Sequence, residues 1–152
     1  MRAGIGQYDA YYDKNSSFYL GGILFSADSE DSLLTDDDLL INSIADALLG
    51  AAAIGGLSSY LKQKKNESEK ILKKIERDIH YRGYRILNID VSIMTSWLEI
   101  GPKLTEIHAL LISMLYIKSE QLNLKLVPIR KSENQSFYKM KITTIALLNN
   151  RS

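Results

Sequence analysis

Residues 33–56 constrain the fold of this chain more than any other stretch. They read Leu-Leu-Thr-Asp-Asp-Asp-Leu-Leu-Ile-Asn-Ser-Ile-Ala-Asp-Ala-Leu-Leu-Gly-Ala-Ala-Ala-Ile-Gly-Gly. An acidic knot, Asp36-Asp37-Asp38, runs straight into an apolar, alanine-rich segment with Asp46 set inside it. Leu40, Ile44, Ala47, Leu48 and Ala51 recur at spacings of three and four, which puts them on one face of a helix. The run Ala51-Ala52-Ala53 keeps that helix thin, so another element can approach it closely. Thr35 or Asp36 is placed to cap it, because a short side-chain oxygen accepts the N–H groups that the first turn leaves without partners. Asp37 and Asp38 suit the positive end of the helix dipole. The pair Gly55-Gly56 reads as the end of the helix.

The rest of the chain arranges itself around this helix. Residues 2–8, punctuated by Gly4 and Gly6, read as a first strand whose backbone passes close to something. Asp13-Lys14-Asn15-Ser16-Ser17 is a polar turn. Residues 18–25 read as a second strand, interrupted at Gly21-Gly22 by a bulge or a close backbone approach. Residues 26–38, acidic and Ser-rich, read as a loop. Beyond the central helix, the basic run with Lys62, Lys64 and Lys65 is a linker. An amphipathic helix starts near Glu67, with Ile71, Leu72, Ile75 and Ile79 on one face, and Gly83 stops it. Residues 84–94 alternate in part and read as a strand. Pro102 suits the first turn of a third helix, whose buried stripe is Leu104, Ile107, Leu111 and Leu115. Residues 122–129 and 138–148 are the last two strands. The order strand, strand, helix, helix, strand, helix, strand, strand predicts an α+β fold, a mixed sheet packed on three helices, as one domain over residues 1–152.

Composition narrows the function classes. The formal net charge of the 152 residues is +1, so no overall field points to nucleic acid or to an anionic membrane. The absence of cysteine excludes disulfides, thiolate metal sites and a cysteine nucleophile. The opening Met-Arg-Ala-Gly-Ile-Gly lacks the apolar core of a signal peptide. No apolar run approaches the roughly 18 residues of a membrane span. The default expectation is a soluble, cytoplasmic protein.

Several segments, in order, resemble one family, the 2-C-methyl-D-erythritol 2,4-cyclodiphosphate synthases of the non-mevalonate isoprenoid route. Arg2-Ala3-Gly4-Ile5-Gly6-Gln7 resembles the family's opening Gly-x-Gly strand, and Leu20-Gly21-Gly22-Ile23 its Leu-Gly-Gly strand. Thr35-Asp36-Asp37-Asp38 sits where the family has Ser-Asp-Gly-Asp. The segment from Asp46 through Leu48, Ala51 and Gly55 is nearly the family's helix verbatim. Gly83-Tyr84, Asn88-Ile89-Asp90-Val91-Ser92-Ile93, Pro102 and Leu122-Asn123-Leu124-Lys125 follow further on. The resemblance implies a homotrimer with active sites between neighbouring subunits. It implies a zinc-like ion held by an Asp-x-His pair on the first strand and a His on the first helix, and a second ion, magnesium or manganese, on the diphosphate. It implies a reaction in which the 2-phosphate of a cytidine-diphosphate-linked methylerythritol phosphate attacks the β-phosphorus, closing a cyclic diphosphate and releasing CMP, with the metals positioning the groups and no protein nucleophile.

The departures from that pattern fall on the chemistry. The family's first-strand Asp aligns with Tyr8, or with Asp9 if one residue is inserted, and its His partner with Ala10 or Tyr11. The helix His falls on Asn42, and the His before the acidic motif on Leu34. A zinc site needs about three protein donors, and Asp9 is the one carboxylate left as a metal candidate. His80 and His108 lie on other expected helices. The Asp that the family places after the first helix is Gly56. The diphosphate-binding Thr-Thr-Glu-Lys turn aligns with Pro128-Ile129-Arg130-Lys131, where a cation has replaced the carboxylate. Asp36, Asp38, Asp46, Ser68 and Lys131 match polar positions of the family. The acids also serve as helix caps, and Asp46 can hydrogen-bond Asn42 one turn before it. Trp97, Tyr8, Tyr11 and Tyr12 read as packing or interface residues.

Three functions remain open from the sequence. The first is a degenerate, non-catalytic relative without cofactor, a scaffold that self-associates as a trimer or partners an active paralogue. The second is an active synthase with an altered oxygen-rich metal site of Asp9, Asp38 and Asn42, favouring magnesium or manganese. The third is a phosphate or nucleotide binder that uses Ser68, Arg130 and Lys131 in the inter-subunit cleft.

Overall fold

The computed structural model of the protein describes residues 1–25, 33–35, 37–60, 68–130 and 137–151, with backbone alone at 33–35 and 98. The strands are β1 (Arg2–Asp13), β2 (Ser16–Leu20), β3 (Ile23–Phe25), β4 (Leu33–Thr35), β5 (Tyr84–Thr95), β6 (Leu122–Pro128) and β7 (Phe137–Asn150). The helices are α1 (Leu39–Ala51), α2 (Leu57–Tyr60), α3 (Ser68–Tyr81) and α4 (Leu104–Leu115), with a 3₁₀ segment at Leu98–Lys103. A four-stranded sheet in the order β1-β7-β5-β6 is antiparallel except for the parallel β5–β6 pair, and a smaller sheet runs β3-β2-β4. This is the expected mixed sheet on helices, with the one-turn α2 added to the three that periodicity finds.

Helix α1 lies across β1 and β7 and packs on α3, which in turn meets α4. Eleven of its side chains are buried, among them Leu40, Ile44, Ala47 and Leu48. The contact with β1 is close enough to exclude a Cβ. One added to Gly4 would stand 2.0 Å from the Ala47 carbonyl oxygen, and one on Gly6 1.9 Å from that of Ser43. The Ser43 hydroxyl spans the same seam, donating to the Gly6 carbonyl (3.1 Å) and sharing a hydrogen bond with Thr144 (2.8 Å). Thin residues on both elements therefore set how the central helix sits on the sheet.

Several local features differ from the sequence reading. Strand β1 continues to Asp13, past the expected end at residue 8. Residues 18–25 are not one bulged strand but a hairpin, with Gly21 (φ 60°) and Gly22 (φ 87°) as its two turn residues. Positive φ at both positions is the tight-turn geometry that matches strand twist, and glycine adopts it without strain. The expected loop at 26–38 contains β4, which runs parallel to β2. Helix α1 starts one residue after Asp38, so Asp38 is its cap, and it ends at Ala51 with Ala53 in the left-handed region (φ 57°). The partial alternation of β5 has a simple cause, a register shift between Ile86 and Asn88. It moves the buried set from Ile86 to Ile89, Val91 and Ile93, because one extra residue reverses the side-chain phase.

Tyr12, Phe18, Phe25, Trp97 and Tyr138 form an aromatic cluster between the two sheets, with Tyr12 and Phe18 stacked at 4.3 Å and Phe18 edge-on to Trp97 at 5.0 Å. Trp97 and Tyr12 are packing residues, as expected. Among the described residues no helix is long and apolar enough to cross a membrane.

Candidate functional site

The end of β1 and the start of α1 enclose a cavity of about 360 Å³, lined by Tyr8, Asp9, Ala10, Tyr11, Tyr12, Asp37, Leu39 and Asn42. The two elements meet here because the glycine contacts upstream fix their register. With Gly4 and Gly6 against α1, strand alternation brings Tyr8, Ala10 and Tyr12 to the α1 face. Asp9 and Tyr11 take the other face. Both are exposed, and Asp9 is paired in the sheet with Lys141. The unshifted alignment of the first strand is therefore the one that the packing obeys.

Asp38 lies behind the cavity and is 3% exposed. Its carboxylate accepts the backbone N–H groups of Gly21 (3.0 Å), Gly22 (2.9 Å) and Ile41 (3.0 Å). One oxygen thus caps α1 and, with its neighbour, anchors the β2–β3 turn. Burial pushes this carboxyl up, and the N–H bonds from Ile41, Gly22 and Gly21 pull it back down. The Tyr8 phenol is raised by burial and then by the negative charges of Asp46 and Asp37. Tyr12 is raised further, by burial and then by Asp38 and Asp37. Both phenols stay protonated at neutral pH.

Asp46 does not pair with Asn42, as its spacing suggests. It accepts the N–H of Leu57 at 2.8 Å and so holds the first residue of α2. A Cβ on Gly56 would lie 3.3 Å from that same carboxylate oxygen, which leaves little room for the larger residue that the resemblance implies.

The remaining expected site residues lie on other elements or outside the described residues. Leu34 lies in β4 opposite Ser17. Ser68 opens α3, and Arg130 follows β6 with an exposed side chain. Asp36 and Lys131, like Lys62, Lys64 and Lys65, lie outside the described residues. His108 is hydrogen-bonded to the Leu122 carbonyl at 2.8 Å, and His80 contacts Arg151, so neither histidine is near the cavity.

The donor set decides what metal chemistry these residues support. The positions that the resemblance assigns to zinc ligands hold a protonated phenol (Tyr8), a methyl group (Ala10) and a neutral carboxamide (Asn42). Zinc takes thiolate, imidazole or carboxylate, so these residues do not fit it. The alternative set of Asp9, Asp38 and Asn42 fails on geometry. Asp9 is on the opposite face of β1, and Asp38 already accepts three N–H groups. Among the described residues no three His, Cys, Asp or Glu side chains gather in a way that could hold a metal ion.

A family model described as the YgbB family matches residues 1–145. The chain belongs to the YgbB family. Relatives called 2-C-methyl-D-erythritol 2,4-cyclodiphosphate synthase include that of Desulfatibacillum aliphaticivorans, 30% identical over 131 residues that cover 82% of this chain and 84% of that protein. That of Clostridium acetobutylicum is 32% identical over the same share of each chain. A solved structure of such a synthase with CDP bound superposes with a TM-score of 0.80 at 20% identity, covering 97% of this chain and 100% of the other. The bifunctional IspDF from Campylobacter jejuni superposes with a TM-score of 0.77 at 18% identity, and this chain spans 42% of its length. The superpositions bear out the fold, and the family match and the relatives bear out the resemblance drawn from the sequence. The site positions of this YgbB member rest on its own geometry.

Two lining residues, Leu39 and Asp37, escape the sequence reading. Asp37 appears there as a helix-dipole acid, but it lies at the mouth of the cavity and its charge reaches both Tyr8 and Tyr12. The signal is the middle acid of Asp36-Asp37-Asp38, at the place where the family pattern has glycine.

Proposed function

We propose that this chain is a cyclodiphosphate synthase homologue that has lost the zinc-dependent cyclisation and acts as a structural or interaction protein. The observation that carries the reading is the trio of Tyr8, Ala10 and Asn42 around one cavity. It keeps the architecture of a ligand site while offering no anionic or imidazole donor. What the chain retains of the family is packing. Gly4 and Gly6 fit α1, Asp38 joins the hairpin to the helix, and Asp46 holds α2. A link to isoprenoid biosynthesis would then come through a partner, such as an active paralogue, rather than through turnover by this chain.

Self-association belongs to the same reading. On the sheet face away from α1, Ile5 is 62% exposed and its cross-strand neighbour Ile145 is 52% exposed. Two β-branched residues side by side on an open sheet suit a contact with further copies of the same face, and a trimer is the assembly that the resemblance implies.

Calorimetric titration with zinc tests the proposal against a variant carrying Tyr8→Asp, Ala10→His and Asn42→His. The natural chain gives no site-specific heat, whereas the variant gains a one-to-one binding isotherm. Stoichiometric zinc binding by the natural chain refutes the proposed loss.

A further inference from the structure

We propose that the cavity between β1 and α1 is a binding site for a small organic cation of the alkylammonium class. This rests on the loss of the metal site, since a resident metal would already supply the positive charge.

The geometry comes from Ala10. Tyr8, Ala10 and Tyr12 share one face of β1, and alternate residues on a strand stand roughly 7 Å apart. The small Ala10 side chain therefore leaves space on this face between the positions of Tyr8 and Tyr12. Tyr8 is half-buried and lines the opening. Tyr12 is 3% exposed, stacked on Phe18 at 4.3 Å, and held in place. Leu39 and Asn42 of α1 close the far side with one apolar and one polar surface. Tyr11 is left out of the site, because its ring is already engaged by the edge contact with Phe137 at 5.8 Å and by Lys139 at 5.9 Å.

The charge has the matching sign. Asp37 is the charged side chain on the helix side of the cavity, Asp9 reaches its rim from the outward face of β1, and none of the described lining residues is basic. Among the described residues no hydrogen bond or ion pair engages the Asp37 carboxylate. Asp38 and Asp46 add negative potential from behind, which the two raised phenols register. A diphosphate brought here without metal would meet repulsion. An alkylammonium group meets the half-buried aromatic side chain of Tyr8 and the Asp37 carboxylate, an aromatic and an anionic partner of the kind that recognises such cations elsewhere in proteins. The apolar rim at Leu39 suits the methyl or methylene groups around the nitrogen better than a hydrated inorganic ion.

Choline titrated into the ¹⁵N-labelled full chain at constant ionic strength tests the site, with 3,3-dimethylbutan-1-ol as its neutral isostere and inorganic pyrophosphate as the anionic contrast. Saturable shifts confined to residues 8–12 and 37–42 are expected with choline, and about tenfold weaker binding with the isostere. Asp37→Asn and Ala10→Leu each weaken choline binding several-fold, whereas Tyr8→Phe, which keeps the ring, retains it. Equal binding of choline and its isostere overturns the proposal, as does saturable binding of pyrophosphate at these residues or no response to choline. Turnover is measured separately: an active enzyme that binds choline sinks only the loss of catalysis, and an inactive chain that ignores choline sinks only the cation site.

Discussion

The Asp38 carboxylate accepts the backbone N–H of Gly21 at 3.0 Å while the same oxygen accepts that of Ile41 at the first turn of α1. One side chain thus ties the small sheet to the helix that the main sheet packs on. Gly22 donates to the second oxygen at 2.9 Å, so the hairpin turn is held by both.

Replacing Asp38 removes the acceptor for three buried N–H groups. Asp38→Ala should destabilise the protein by on the order of 3 kcal/mol, the sum of a lost helix cap and stranded buried donors. Asp38→Asn keeps one acceptor oxygen but turns an amide N–H₂ toward N–H donors, and should fall between alanine and the natural residue. Urea unfolding followed by circular dichroism measures both.

The glycines of β1 and α1 should respond oppositely to alanine. Gly6→Ala drives a Cβ to 1.9 Å from the Ser43 carbonyl oxygen, where backbone must move, and should cost about 3 kcal/mol or prevent folding. Gly50→Ala meets its nearest neighbour at 3.8 Å and should stabilise α1 by up to about 1 kcal/mol through helix propensity. Thermal unfolding of the two variants side by side distinguishes a packing constraint from a generic preference for glycine.

Ala53 sits at φ 57° just past the end of α1. Ala53→Gly should raise stability by roughly 0.5–1 kcal/mol, since glycine reaches the left-handed region without the Cβ clash. A fall in the unfolding midpoint would contradict that assignment of strain.

Tyr60 lies on α2 and its hydroxyl donates to the Asp78 carboxylate on α3. Burial first, then this hydrogen bond and the Asp78 charge, push the phenol from its ordinary 10.0 up to about 12. A folded-state pKa above the unfolded one means that the contribution is whole below pH 10 and is lost as pH rises toward 12. The stability difference between the natural chain and Tyr60→Phe should therefore shrink over that window, as read by urea midpoints taken at each pH.

The sequence exposed the apolar faces and hid the joints. The spacing of Leu40, Ile44, Ala47 and Leu48 found α1 because burial on one helix face leaves a period. The Gly21-Gly22 pair was legible as a special backbone site but not as a hairpin turn, since a bulge and a turn ask for the same residue. The phase reversal after Ile86 was visible only as imperfect alternation in β5. Asp38 reads as a cap, and the N–H of Ile41 makes it one, while Asp46 reads as a neighbour of Asn42; the further partners Gly21, Gly22 and Leu57 are brought to these acids by tertiary packing that local spacing does not encode. At the candidate site the outcome was similar. Tyr8, Ala10 and Asn42 could be named from alignment with a family pattern. That they share one cavity, with Asp37 at its mouth and Asp9 turned away, depends on how Gly4 and Gly6 seat β1 on α1.

The most direct test of the lost reaction is turnover itself. Purified full-length protein, incubated with the cytidine-diphosphate-linked methylerythritol phosphate, zinc and magnesium, is assayed for CMP and cyclic diphosphate by chromatography. The geometry around Tyr8, Ala10 and Asn42 predicts no CMP above the protein-free blank, and CMP release at an enzyme-like rate would contradict it.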